Sequence, residues 1–129
     1  MSPALLWQMA VVGLGGFCGS VARFLLSGIV HRVLPPVFPY GTLVVNVLGC
    51  LAIGYFSGLA QVRSLFGPSQ RLFLLVGVLG GFTTFSTFAY ETLALAQGSE
   101  FLRAAVNIGA SVTLGLAAAW LGYLSAQNL

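Results

Sequence analysis

The sequence predicts an all-α integral membrane protein with four transmembrane helices, the third broken near its middle. Two observations carry the class. First, 58% of the 129 residues are hydrophobic and only 5% are charged. A soluble domain carries roughly 25% charged residues, so water could not solvate this surface. Second, the charges that exist punctuate long apolar runs. Residues 1–22, 33–62, 72–90 and 104–129 hold no Asp, Glu, Lys or Arg. A spanning helix needs roughly 20 such residues.

The first run resumes after Arg23 and predicts a helix over about 4–31. Its start lacks a basic segment and a small-residue cleavage pattern, so it reads as a retained helix rather than a signal peptide. "LPPVFPYG" (34–41) cannot continue a helix, because three prolines remove donors and fix φ. The second helix is expected over 41–62. "FGPSQR" (66–71) offers Gly67-Pro68 as a break and Ser69 as an N-cap, opening a third helix over 70–97. "QGSE" (97–100) offers Gly98 as a stop and Ser99 as a cap before a fourth helix over 101–126. One transmembrane domain thus fills 1–129.

The third helix contains "GVLGGFTTFSTFAYE" (77–91). Adjacent glycines weaken a helix, and Thr83, Thr84, Ser86 and Thr87 cost free energy in hydrocarbon unless partnered. An unwound segment is expected here. Such backbone is tolerated at membrane depth only when buried in protein or lining a cavity. The competing reading is an intact helix with a glycine packing face.

Four spans put both termini on one side. Arg63 and Arg71 lie on that side, Arg32 and Arg103 on the other, and Arg23 lies within the first helix. Two against two gives the positive-inside rule no preference. Insertion in both orientations is therefore expected, and with it an antiparallel homodimer whose two-fold axis lies in the membrane plane. The alternative is an orientation set by Arg23 or by a partner.

Several function classes fall away. There is no concentrated basic face for nucleic acid. The one histidine, His31, sits at a helix end beside Arg32 and reads as a loop or interface residue. There is no Asp, and each Glu is isolated. No metal cluster of the His/Cys/Asp type and no phosphate-binding glycine loop followed by Lys is present. Cys18 and Cys50 read as buried small hydrophobes.

What remains is uncharged polarity at helical spacing. Thr42, Asn46 and Gly49 share one face of the second helix. Asn107, Ser111 and Gly115 share one face of the fourth, and Phe85, Phe88 and Thr92 one face of the third. Singly, each polar residue reads as an interhelical clip. Three faces together favour a polar path. Phenyl edges carry partial positive charge and can meet an anion without a hydrogen-bond donor.

These stretches resemble the Fluc-type fluoride channels, the CrcB family, along essentially the whole chain. "GGFCGSVARF" (15–24) resembles the family's first-helix motif and "GTLVVNVLGC" (41–50) its second. "GGFTTFSTF" (80–88) resembles its third-helix break and "NIGASVTLGLAAAWLG" (107–122) its fourth helix. The resemblance implies a dual-topology homodimer with two fluoride pores and a central structural sodium ion. Backbone carbonyls of Gly80 and Thr83 in both subunits would hold the sodium. Phe85 and Phe88 would meet fluoride edge-on, and Asn46 would donate to it. Thr87 and Ser111 would belong to the polar wall, with Arg23 toward the aqueous vestibule, and Thr42, on the polar face of the second helix with Asn46, is expected to line the same pore. The family often places another hydroxyl one turn after Ser111, where this chain has Gly115. That leaves open how far the fourth helix's polar track runs and whether Asn107 joins it. Glu91 is read either as stabilising the mouth or as pairing with an Arg.

The expected function is passive, fluoride-selective export across a bacterial-type inner membrane, with the ion and the lipid bilayer as the other partners and no nucleic acid. One alternative is a small dual-topology, proton-coupled multidrug exporter, which needs a membrane-embedded carboxylate that only Glu91 could supply. Another is a non-transporting membrane assembly subunit.

Overall fold

The computed structural model describes residues 1–128 and is helical almost throughout. Four helices are long and apolar enough to cross a membrane: α1 (Pro3–Val33), α2 (Tyr40–Val62), α3 (Pro68–Gln97) and α4 (Phe101–Gln127). At 1.5 Å per residue, the 31 residues of α1 reach about 46 Å, well beyond a hydrocarbon core of about 30 Å. The helix therefore tilts or projects, and its C-terminal turn carries His31 and Arg32 out of the apolar stretch.

The helix ends follow local chemistry. Ser2 caps α1, its hydroxyl accepting from the Leu5 amide at 3.3 Å. Gly67 caps α3 with Pro68 in the first turn and Gln70 Oε1 accepting from the Gly67 amide. Ser69, expected as that cap, lies inside the first turn. Its hydroxyl instead accepts from Trp7 Nε1 and ties α3 to the start of α1. Arg71 crosses the connection, donating from Nη2 to Ala60 O and from Nε to Phe66 O. It thereby satisfies a carbonyl near the end of α2 that the helix leaves unpaired.

The α3–α4 turn is a Schellman motif. The Glu100 amide donates to Leu95 O and the Ser99 amide to Ala96 O, with Ser99 at φ 61°. Gly98 ends the helix in an ordinary negative-φ conformation. The left-handed position thus falls one residue later than the glycine, and Glu100, not Ser99, precedes α4.

The four spans pack as two close pairs, α1 on the first half of α3 and α2 on α4. Membrane helices gain little from the hydrophobic effect among themselves, so close backbone approach does this work. At Gly19 of α1 a Cβ would collide with Val78 O of α3. The stretch of α3 that meets α1 there, Leu72–Val78, is π-helical. Cys18 is exposed on the outside of the bundle and Cys50 is half-buried, and both are free thiols. The expected burial of Cys18 is therefore not met within this chain: an apolar run on the outside of the bundle looks, in sequence, like one on the inside.

Candidate functional site

Helical geometry in α3 stops at Phe82 and resumes at Phe85, leaving Thr83 (φ −84°, ψ 156°) and Thr84 (φ −151°, ψ 116°) extended. Thr84 caps the second half, Phe85–Gln97, its Oγ1 accepting from the Thr87 amide. The same hydroxyl donates to Thr87 Oγ1 at 3.0 Å.

Asn46 of α2 replaces the lost helical bonds. Its Nδ2 donates to Thr84 O at 2.9 Å, and its Oδ1 accepts from the Thr84 amide at 2.8 Å. A continuous helix would send the Thr84 amide to Gly80 O and the Thr87 amide to Thr83 O. Both amides are turned elsewhere, so the Gly80 and Thr83 carbonyls lose their usual donors. Gly49, one turn after Asn46, brings α2 close: a Cβ there would collide with Thr83 Cγ2.

Two cavities, each of about 370 Å³, meet at Thr84. The first is lined by Asn46, Gly80, Thr83, Phe85, Phe88 and Ser111, among others. The Phe85 and Phe88 ring centroids are 5.4 Å apart with planes inclined 48°. Phe85 is 80% exposed, so this chain alone does not close the wall around it. Asn46 spends one amide proton on Thr84 O and keeps the second.

The second cavity gathers Arg23, His31, Thr42, Thr87 and Glu91. Thr42 is buried, and its hydroxyl donates to Glu91 Oε1 at 2.8 Å. Glu91 Oε2 is buried without a partner. Glu91 forms no ion pair with an Arg, the pairing alternative raised by the sequence. Among the described residues the ion pair is Arg103–Glu100.

The residues expected to line one path are thus divided. Asn46, Phe85, Phe88 and Ser111 share the first cavity with Gly80 and Thr83, while Thr42, Thr87 and Arg23 share the second. Asn107 joins neither. It is 1% exposed, and its Nδ2 donates to Thr92 Oγ1 at 2.9 Å. Sequence reasoning missed Thr84, whose backbone receives the Asn46 clip and which lines both cavities. Its signal was a Thr three residues before another Thr, just past a glycine pair.

The fold and this interior define a small multi-pass membrane protein whose polar surfaces belong to helix faces and to one interrupted helix. A family model described as CrcB-like protein, Camphor Resistance (CrcB), matches residues 10–123. The chain belongs to the CrcB family. It is 46% identical over 115 residues to a protein of Nitratidesulfovibrio vulgaris named fluoride-specific ion channel FluC, covering 89% of this chain and 93% of that one. It is 48% identical over 120 residues to the protein of that name from Opitutus terrae, covering 92% and 91%. A third FluC, from Geobacter metallireducens, is 45% identical over 121 residues, covering 94% and 98%. The exporter and assembly-subunit readings find no support in these relatives.

Proposed function

We propose that the chain is a fluoride-selective ion channel, not an enzyme, through which fluoride moves passively down its electrochemical gradient. The observation that carries this reading is the first cavity. There, two phenyl rings 5.4 Å apart face the same space as Asn46 and Ser111. Fluoride is small and firmly hydrated, so a path selective for it must replace water with close donors. Ring edges supply partial positive charge without a proton to lose. The free Asn46 amide proton and the Ser111 hydroxyl supply hydrogen bonds. Arg23 in the neighbouring cavity raises the local anion concentration without placing a fixed charge beside the rings.

The working unit is an antiparallel, dual-topology homodimer with two pores. The balanced arginines support it, and so does the first cavity, whose exposed Phe85 and Gly80 need a second surface. Near the membrane's middle, the interrupted segments of two copies would face each other. The Gly80 and Thr83 carbonyls, relieved of their helical donors, fit a sodium ion, a hard cation that takes oxygen ligands. No side chain crowds Gly80, since a Cβ there meets nothing within 4 Å. Bound sodium would supply fixed positive charge that holds the two interruptions together. The protein would reside in the inner membrane of a bacterial cell.

The test is efflux from liposomes holding the purified protein, with a potassium ionophore carrying compensating charge. Fast fluoride release with little chloride, lost in Phe85→Ile and Asn46→Asp, is the expected result. No fluoride release from well-folded protein would remove the channel reading.

A further inference from the structure

The second half of α3 buries none of its own residues within this chain. Side-chain hydrogen bonds hold it to the other helices at three places. Two run to α2, Asn46 to the Thr84 backbone and Thr42 to Glu91. The third runs to α4 and is the one such bond between these elements among the described residues: Asn107 Nδ2 to Thr92 Oγ1, 2.9 Å. It does not end at Thr92. The Thr92 hydroxyl donates its single proton to Phe88 O at 2.7 Å. The result is a directional chain, from Asn107 N–H to Thr92 O–H to the Phe88 carbonyl. Each link polarises the next.

The registers of the two helices give this chain its consequence. Phe88 and Thr92 are four apart on α3, and Asn107 and Ser111 are four apart on α4, so each pair shares a helix face. Phe88 and Ser111 line the first cavity, whereas Thr92 and Asn107 stand outside it. A threonine hydroxyl bonded to the carbonyl four residues back bends its helix at that turn. Asn107, 1% exposed, holds the Thr92 hydroxyl in the rotamer that makes this bond.

We infer that Asn107 is a positioning residue for the ion path: acting through Thr92, it sets the Phe88 ring relative to Ser111. The inference rests on the reading that Phe88 lines the path, and it assigns to Asn107 a role outside the polar wall itself. It also accounts for an amide rather than a leucine at a position with no access to the cavity. An apolar residue would pack there and leave the Thr92 lone pairs and the Phe88 turn unregistered.

The experiment separates placement from conduction. In the full-length protein, Phe88 is labelled as its 4-fluoro analogue and followed by fluorine NMR, with Phe101 labelled in a second sample as a control. Fluoride efflux from liposomes is measured on the same variants. Asn107→Ala and Thr92→Val are each expected to shift or broaden the Phe88 resonance and leave that of Phe101 in place. Each should slow efflux about threefold to tenfold, the range one interhelical hydrogen bond supplies. The double variant should be no slower than either single one, because both break one chain. Thr92→Ser, which keeps the hydroxyl, should restore the resonance and the rate. Should Asn107→Ala fail to fold, the comparison of Thr92→Val with Thr92→Ser decides alone. An unmoved Phe88 resonance with wild-type efflux in Thr92→Val overturns the inference. A wild type that passes no fluoride, with the Phe88 resonance still moved in the variants, overturns the fluoride reading and supports the placement.

Discussion

Removing the Asn46 side chain should loosen the α3 interruption more than it loosens the rest of the fold. Asn46→Ala deletes two hydrogen bonds, 2.9 Å and 2.8 Å long, and orphans both the carbonyl and the amide of Thr84. Thr84 is 9% exposed, so water reaches these groups poorly. At the average measured between membrane helices, about 0.6 kcal/mol per bond, the cost is about 1 kcal/mol. At the full penalty of about 1–3 kcal/mol for each buried orphan, it reaches about 6 kcal/mol. Asn46→Asp separates the two bonds. An ionised carboxylate still accepts from the Thr84 amide but turns an oxygen toward Thr84 O, so it should be less stable than wild type through repulsion at one link. Reversible unfolding in mixed micelles gives the free energies, and hydrogen exchange at the Thr84 and Phe85 amides gives the local opening. Asn46→Ala within about 0.5 kcal/mol of wild type, with unchanged exchange at Thr84, would refute the view that this amide substitutes for the missing helical bonds.

Other positions give sharp expectations. Gly19→Ala should destabilise by about 1–3 kcal/mol in thermal unfolding, because its Cβ meets Val78 O, whereas Gly13→Ala, with nothing within 4 Å, should stay within about 0.5 kcal/mol. Gly80→Ala should leave the single chain's fold intact for the same reason yet lower the dimer fraction in size-exclusion chromatography, since the proposed cation lies where two copies meet. Replacing sodium by a large organic cation should lower that fraction in wild type as well, and an unchanged dimer would count against the cation site. Arg103→Ala should cost no more than about 0.5 kcal/mol, since both partners of its pair are nearly half exposed.

The spans were legible because charge and turn chemistry coincide. Charged residues with prolines or glycines separate successive apolar runs, and the helix ends at those connections lie within a few residues of these signals. The extended pair at Thr83–Thr84 had a local signature as well, a glycine pair followed by a threonine able to cap the next turn. What was not legible is pairing at a distance. Asn46 bonds to the backbone of a residue 38 positions away, and nothing in either segment distinguishes that partner from an ion. Thr42 lines the second cavity, and its hydroxyl donates to Glu91, 49 positions away, a pairing that helical spacing does not announce. The π-helical turn at Leu72–Val78 has an ordinary apolar composition, so spacing alone cannot announce it. At the α3–α4 turn the adjacent glycine drew attention from Ser99, which takes the left-handed conformation.

The central claim is passive, selective passage of fluoride. Its most direct test is the reversal potential of the purified protein in a planar bilayer, with a tenfold fluoride gradient and equal chloride on both sides. A fluoride-selective path reverses at the fluoride Nernst potential, about 59 mV from zero. Current that reverses near zero, or none from folded protein at any voltage, would contradict it.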